Sequence, residues 1–115
     1  MWGKFNSYAT NLISCTESGG WNFENSGGCL QFPVYIESVG YKIAKATTTV
    51  ASMAGAWHMV TGVFDGANIK IYIDGLLETT TATGSTNGIH YANTFLGLAC
   101  EVNTKTTPAN SNYVG

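Results

Sequence analysis

Residues 56–77 contain two strands and two turns, and they constrain the fold of this chain more than any other segment. Isoleucines occupy every second position of residues 69–73, which is the period-two pattern of a strand buried on one face. Asp-Gly pairs at 65–66 and 74–75 lie on either side of this strand. Glycine accepts a positive φ at a tight reversal because it has no Cβ. The segment therefore predicts consecutive antiparallel strands joined by short turns.

Similar short strand patterns recur along the chain, separated by Gly-rich turns, and helix patterns are nearly absent. The predicted strands cover residues 11–15, 21–24, 29–37, 41–49, 57–64, 68–74, 76–83 and 94–98, with one helical turn within 52–56. Pro33 has no N–H to donate to a ladder, so we expect the strand that contains it to lie at a sheet edge or to bulge there. Turns at this spacing favour an all-β sandwich or barrel.

The size and charge of the chain exclude several classes of protein. A chain of 115 residues predicts a single domain over residues 1–115. All five basic residues are scattered lysines and the net charge is −2, so the basic stripe of a nucleic-acid-binding protein is missing. No run reaches the roughly 18 apolar residues of a membrane span. The first residues lack the apolar stretch of a signal peptide.

Three cysteines, Cys15, Cys29 and Cys100, leave at least one thiol unpaired. We favour their interpretation as small buried apolar residues. A Cys15–Cys29 disulfide across two strands is the first alternative. A zinc site is the least favoured, because there is no Cys-x-x-Cys pair and the two histidines are not at ligand spacing.

A family resemblance rests on the pattern in the middle of the chain. Trp57-His58, then Phe64-Asp65-Gly66, then the Ile-Tyr-Ile-Asp-Gly of residues 71–75 occur in this order. The pattern resembles the laminin-G-like, concanavalin A-like lectin/glucanase superfamily. The resemblance implies an antiparallel two-sheet jelly-roll sandwich in which this chain lacks terminal strands. Unpaired edges would follow, so we expect self-association as a homo-oligomer or by strand exchange.

The alternating apolar residues predict the core between the two sheets. A shift of one residue would turn a strand's apolar face to solvent, so the alternation fixes the strand pairing. The predicted core residues are Leu30, Phe32, Val34, Ile36, Trp57, Met59, Ile69, Ile71, Ile73 and Leu96.

Catalytic residues are not predicted, and we expect the protein not to be an enzyme. Glycoside hydrolysis needs two carboxylates at a defined separation. Catalytic members of the superfamily carry them on a Glu-x-Asp-x-Glu-like strand, which this sequence does not contain. Asp65 and Asp74 lie in turns, where a carboxylate caps its own backbone. His58 lies at the start of a strand, where a structural role is favoured.

Sugar binding is the most specific chemistry that the aromatic residues suggest. It uses an aromatic ring against the apolar face of a pyranose, with polar groups for the hydroxyls. The candidate ligand-binding residues are Trp21, Tyr35, Tyr41, Tyr72 and Asn25. No cofactor is expected. Lectin-like relatives often bind Ca²⁺ through loop oxygens, so calcium is the alternative, with Asp65 and Asn68 as its candidate ligands.

Two functions follow from the resemblance and the low charge. The first is a non-catalytic recognition module for carbohydrate or a protein partner, within a larger surface, secreted or phage-tail protein. The second is a structural sandwich that self-associates through open sheet edges and binds no small ligand. A concave patch of aromatic and polar residues would favour the first, and a flat patch along an edge the second. The resemblance implies an extracellular, cell-surface or virion location.

Overall fold

The computed structural model describes residues 1–5, 11–16, 19–91, 96–98, 100–102 and 108–111, with side chains described up to residue 98. Eleven strands lie within these residues, and one 3-10 turn, Ala51–Met53, separates the fifth strand from the sixth. The strands are β1 Trp2–Lys4, β2 Asn11–Thr16, β3 Gly20–Ser26, β4 Cys29–Ile36, β5 Gly40–Thr49, β6 Trp57–Phe64, β7 Asn68–Ile73, β8 Leu76–Ala82, β9 Gly97–Leu98, β10 Cys100–Val102 and β11 Pro108–Ser111.

The strands form two main antiparallel sheets and a small third one. The five-stranded sheet has the order β5-β4-β3-β2-β9, the four-stranded sheet has the order β1-β6-β7-β8, and β10 pairs with β11. This arrangement confirms the predicted all-β fold with two antiparallel sheets, as in a concanavalin A-like sandwich. We call the sheet faces that meet in the core inner faces and the opposite faces outer faces.

The core lies between the inner faces and is built by the predicted alternation. Four apolar residues of β4 point inward, from Leu30 to Ile36, and three isoleucines of β7 meet them from the other sheet. Burying one such side chain contributes roughly 1.5–3 kcal/mol. Phe5, Leu12, Phe23, Ala44, Ala46, Val50, Met53 and Val60 complete the core.

Three predicted core residues lie elsewhere. Trp57 is 67% exposed and Leu96 is 57% exposed, and Met59 is half-buried. In β6 the even-numbered residues point inward. Val60 pairs with the core residue Ile73, and paired residues share a face of the sheet. Trp57 and Met59 therefore lie on the outer face. The inward face carries Gly62, which gives no apolar signal, so the sequence pattern favoured the wrong face of this strand.

Leu96 precedes the two-residue edge strand β9, in which Gly97 is the buried position. The predicted strand at 94–98 therefore appears only as β9, and its first two residues lie outside the described part of the chain. Strands β1, β10 and β11 were not predicted, because each is four residues or shorter.

Pro33 lies in an inner strand, so the first of its two predicted placements, a sheet edge, was wrong. In place of the second, a bulge, the ladder is interrupted beside this residue. The ladder between β4 and β5 runs through the pair Pro33–Ile43. Towards β3 the pairing has a gap between Trp21–Val34 and Glu24–Gln31, and the gap is opposite Pro33. The missing N–H is accommodated by omitting ladder pairs on one side, which keeps the strand within the sheet.

The edge strands β5 and β8 lie against each other across the sandwich, and side chains of β8 bond to the backbone of β5. A bulge in β8 leaves Glu78 without a cross-strand partner in β7, and its carboxylate turns towards β5. There it accepts hydrogen bonds from the backbone N–H groups of Thr47 at 3.0 Å and Thr48 at 2.9 Å. Both hydroxyls donate as well, at 2.7 and 2.8 Å. The backbone edge of β5 is thus covered within the chain by a side chain of β8, and self-association stays a prediction.

Cys15 and Cys29 are free, half-buried thiols, so the alternative of a disulfide between them is wrong. The two residues do not face each other, because Cys15 pairs with Trp21 and Cys29 with Ser26 and Thr49. The side chain of Cys100 lies outside the described residues.

Asp65 caps the backbone of its own turn, as predicted, whereas the carboxylate of Asp74 contacts β6 instead. Asp65 Oδ1 accepts the N–H groups of Ala67 at 3.1 Å and Asn68 at 2.7 Å. Asp74 Oδ2 lies 2.7 Å from His58 Nδ1, and its Oδ1 accepts the N–H of Met59 at 2.8 Å. The hydrogen bond from His58 is the main cause that lowers the pKa of Asp74, with the Met59 bond next.

Two substitutions of Asp74 are expected to distinguish the contribution of its charge to stability from that of its backbone conformation. Asp74 has a φ of 51°, which asparagine tolerates and alanine does not. We therefore expect Tm to fall in the order wild type, Asp74→Asn, Asp74→Ala at pH 7. A lowered pKa stabilises the fold above the ordinary value of 3.8 and loses that effect as the pH falls through the folded-state pKa. The difference in Tm between wild type and Asp74→Asn should therefore shrink in acid. A difference measured by calorimetry that does not change with pH would contradict this.

Candidate functional site

The outer face of the five-stranded sheet carries three rows of side chains set by the strand register. Glu24 pairs with Gln31, which pairs with Lys45 in the first row. The middle row contains Asn22, which pairs with Ser14, and the pair Pro33–Ile43. The pair Tyr35–Tyr41 lies in the third row, level with Thr16 in β2. Four strands therefore contribute to one continuous surface.

A groove with a volume of about 300 Å³ lies over these rows. Its lining is Thr16, Asn22, Glu24, Pro33, Tyr41 and Ile43. The pyrrolidine of Pro33 and the side chain of Ile43 supply apolar surface between the tyrosine ring and the polar groups of β3. The groove thus offers an apolar wall and a row of hydrogen-bonding groups to the same ligand.

The polar side of the groove is a hydrogen-bonded network around Glu24. One carboxylate oxygen accepts a hydrogen bond from Nδ2 of Asn22 at 2.9 Å, and the other accepts a short hydrogen bond from Nε2 of Gln31. Asn22 also donates to Oδ1 of Asn11 at 3.5 Å. Asn22 and Gln31 are buried, and a carboxylate has about four acceptor sites. Glu24 is therefore held in place with acceptor capacity left for a ligand.

The aromatic side of the groove is held by ring contacts and one hydroxyl bond. The rings of Tyr35 and Tyr41 meet edge to face with centroids 4.8 Å apart. The hydroxyl of Tyr41 donates to the carbonyl of Gly19 at 3.1 Å. Tyr35 in turn lies 5.2 Å from the ring of His90. The ring of Tyr41 is thus held by Tyr35 on one side and by its own hydroxyl bond. Tyr41 is 44% exposed, so the ring remains accessible to a ligand.

Residues 88–90 fix the end of the sheet beside these rings. Gly20 donates its N–H to the carbonyl of His90 at 2.9 Å, and His90 donates its N–H to the carbonyl of Tyr35 at 2.8 Å. The segment thus lies between the start of β3 and the end of β4. His90 Nδ1 makes a short contact with the carboxylate of Glu37. Ile89 lies on the inner side, where it lines a separate apolar cavity.

A family model described as "Concanavalin A-like lectin/glucanases superfamily" matches residues 1–110 of this chain. The chain belongs to this superfamily. Comparison with curated proteins and with solved structures gave no match. The superfamily includes carbohydrate-binding and protein-binding domains as well as glucanases, and its laminin G-like members are commonly extracellular and non-catalytic. No helix in the described part of the chain has the length and apolar character needed to cross a membrane.

The structure brings together two of the five candidate ligand-binding residues. Tyr35 and Tyr41 are in contact on the outer face of the five-stranded sheet. Trp21 and Asn25 lie on its inner face, since they pair with Val34 and Leu30. Tyr72 pairs with Thr61 on the outer face of the four-stranded sheet. Trp21 packs against Phe32 with ring centroids 6.1 Å apart, which gives it a place in the core packing.

Asn25 has an unpartnered polar atom. Its Oδ1 is buried and has no hydrogen-bond partner among the described residues. It lies on the inner face at the end of β3, on the side of the sheet opposite to the groove.

The polar groove residues were not predicted, although part of their signal is present in the sequence. Asn22, Glu24 and Gln31 alternate with apolar residues, which places them on one face of each strand. The sequence does not show the register that sets Glu24 opposite Gln31 and Asn11. Pro33 was interpreted through its missing N–H, so its apolar ring was not considered as a binding surface.

The candidate calcium ligands are engaged in the turn. Oδ1 of Asp65 accepts the backbone N–H groups of Ala67 and Asn68, and Nζ of Lys70 lies 2.8 Å from Oδ2 of Asp65. The hydrogen bond from Lys70 is the main cause that lowers the pKa of Asp65. An ammonium group at this distance would repel a cation, so the geometry does not fit Asp65 and Asn68 as calcium ligands. Within the described residues, no group of three or more His, Cys, Asp or Glu side chains is placed to hold a metal.

Proposed function

We propose that this protein is a non-catalytic recognition module that binds carbohydrate in the groove on the outer face of the five-stranded sheet. The observation that carries the proposal is that Tyr41 lines the same groove as Asn22 and Glu24, whose side chains are hydrogen-bonded to each other. A pyranose presents an apolar face and a rim of hydroxyls, and it needs both kinds of partner at once. We place the module in a larger extracellular or surface protein.

The size of the groove supports a small ligand. Its volume of about 300 Å³ is at the lower end of the roughly 300–1,000 Å³ of ligand sites. This favours a short oligosaccharide, or the end of a longer chain, over a polysaccharide enclosed along its length. The hydrogen bonds within the lining favour a preorganised site, which lowers the entropy lost on binding.

The acidic groups of the groove support binding without hydrolysis. Glycosidases place two carboxyl groups roughly 5 to 9.5 Å apart. Among the described lining residues, Glu24 is the sole carboxylate, and two amides hydrogen-bond to it.

Replacing Tyr41 with alanine is expected to weaken glycan binding by about tenfold, because the variant loses one stacking surface and keeps the polar groups. Tyr72→Ala is the matched control, since Tyr72 is a partly exposed tyrosine on the outer face of the other sheet. A glycan array would identify ligands, and calorimetric titration would then measure Kd for the three proteins. None of the three tryptophans is among the described lining residues, so tryptophan fluorescence is a poor readout.

Two results would contradict the proposal. One is an array on which the wild-type protein binds no glycan. The other is a ligand whose Kd changes equally in the Tyr41→Ala and Tyr72→Ala proteins. Circular dichroism of both variants would check that the sandwich is retained.

A second candidate function, assembly with further copies, is favoured by the outer face of the four-stranded sheet. Trp2 is 66% exposed and Trp57 is 67% exposed on this face, and β1 is an edge strand. Exposed apolar patches often mark protein contacts. Sedimentation velocity at micromolar concentration tests this function. A monomer at all concentrations would reject it, and a dimer lost on Trp57→Ser would support it.

A further inference from the structure

We infer that the groove selects uncharged glycans and rejects acidic ones, with Glu24 as the residue that determines this specificity. This inference deepens the proposed function and rests on it. It adds a ligand class, namely sugars that present hydroxyl donors and carry neither carboxylate nor sulfate at the bound ring.

The Glu24 carboxylate is fixed in position by its hydrogen bonds. Its two oxygens are hydrogen-bonded to the buried amides of Asn22 and Gln31, so the group cannot turn away when a ligand enters. An ionised carboxylate only accepts hydrogen bonds. Two adjacent sugar hydroxyls satisfy its remaining acceptor sites. A uronate or sulfate group in the same place would bring two negative charges together.

The lysine on this face, Lys45, is not part of the described groove lining. Lys45 shares the first row with Glu24 and Gln31. Its Nζ lies over the turn between β3 and β4, where a Cβ built on Gly27 would be 3.3 Å away. The turn is on the far side of the first row from the groove. Of the groove lining that the structure describes, no member is basic, so nothing there offsets the charge of Glu24.

The other described lining groups are uncharged. Tyr41, Pro33 and Ile43 contact apolar ligand surface, and Thr16 and Asn22 are neutral. The described lining therefore carries one net negative charge at neutral pH. Sites for carboxylate and sulfate groups commonly use Lys or Arg, and this groove has the opposite charge.

The test is a glycan array printed with matched neutral and acidic partners: lactose, 3′-sialyllactose and 3′-sulfolactose, and cellobiose with cellobiouronic acid. We expect wild-type protein to prefer the neutral member of each bound pair by about tenfold or more. Raising NaCl from about 0.05 M to about 0.5 M should reduce this preference, because screening weakens charge repulsion and not steric exclusion.

Glu24→Gln keeps the shape of the side chain and removes its charge, so it should reduce the preference to less than about threefold. Glu37→Gln is the charge-matched control. Glu37 follows β4, contacts His90 and does not line the groove, so this variant should keep the wild-type preference. If Glu24→Gln misfolds by circular dichroism, the NaCl dependence of the wild-type protein still decides the matter.

The outcomes separate this inference from the proposed function. Equal or tighter binding of acidic glycans by wild type would overturn the inference and leave carbohydrate binding intact. An unchanged preference in folded Glu24→Gln, or one insensitive to NaCl, would also overturn the role of Glu24. Absence of binding to every glycan would remove the proposed function and the inference together.

Discussion

Gly62→Ala is expected to destabilise the protein by about 3 kcal/mol, because it overfills the core at a position where no side chain fits. For a domain of this size, that corresponds to a fall in Tm of about 10 °C. Chemical denaturation and calorimetry would measure both quantities. A change below about 1 kcal/mol would contradict the packing described at this position.

The reason is the close approach of two phenylalanines to Gly62. A Cβ at this position would lie 2.7 Å from Cζ of Phe23 and 2.7 Å from Cδ1 of Phe32. These rings are stacked on each other with centroids 4.7 Å apart, and both are buried. At these distances one or both rings must shift, and Phe23 belongs to β3 and Phe32 to β4. The strain therefore reaches the strands that carry Glu24 and Pro33.

Gly88→Ala is the matched control for the glycine substitution. Gly88 does not have a positive φ, and a Cβ at this position would meet nothing within 4 Å. Its carbonyl accepts the N–H of Glu37 at 3.0 Å, which alanine preserves. We expect its Tm to remain within about 2 °C of wild type. Equal losses in both variants would point to a general effect of glycine removal.

Glu78→Ala is expected to destabilise the fold by about 2 kcal/mol. The side chain accepts four hydrogen bonds from Thr47 and Thr48, and the substitution leaves two edge N–H groups of β5 without this partner. The Thr47 bonds are exposed to solvent, so the four contributions do not add in full. Glu78→Gln keeps the length of the side chain and some of these bonds, and we expect about half the loss.

The pH dependence of this effect follows from the sign of the pKa change. Burial raises the pKa of Glu78, but the hydrogen bonds from Thr48 and Thr47 outweigh burial and lower it overall. A lowered pKa gives stability that is complete above the ordinary value of 4.5 and is lost as the pH falls through the folded-state pKa. The difference between wild type and Glu78→Gln should shrink in acid, as urea denaturation at several pH values would show. A difference that grows below pH 4.5 would contradict the contact.

Much of the fold was predictable because alternation and turn chemistry act over a few residues. Trp57–Phe64 matches its predicted strand at both ends, and the isoleucines of β7 are buried as expected. The prediction failed where one face of a strand carries a small residue. In β6 the inward face includes Gly62, while the outward face carries Trp57 and Met59, so hydrophobicity alone favours the wrong side.

The groove was harder to predict than the fold, because it depends on pairings between strands that are distant in sequence. Tyr41 was predicted from its aromatic character. Its neighbours Thr16, Glu24 and Pro33 become neighbours only when β2, β3, β4 and β5 are aligned in register. Short-range patterns do not determine which residues of two strands are opposite each other, apart from strands joined by tight turns.

The gap in pairing opposite Pro33 has a consequence for how such a surface can diversify. The floor of the groove lies where β3 and β4 lack ladder pairs. Main-chain hydrogen bonds at this position therefore do not hold the two strands together. Side chains there can be exchanged for others without breaking main-chain bonds. Over evolutionary time, the same scaffold can therefore acquire new ligand preferences at this spot while the packed interior behind it stays the same.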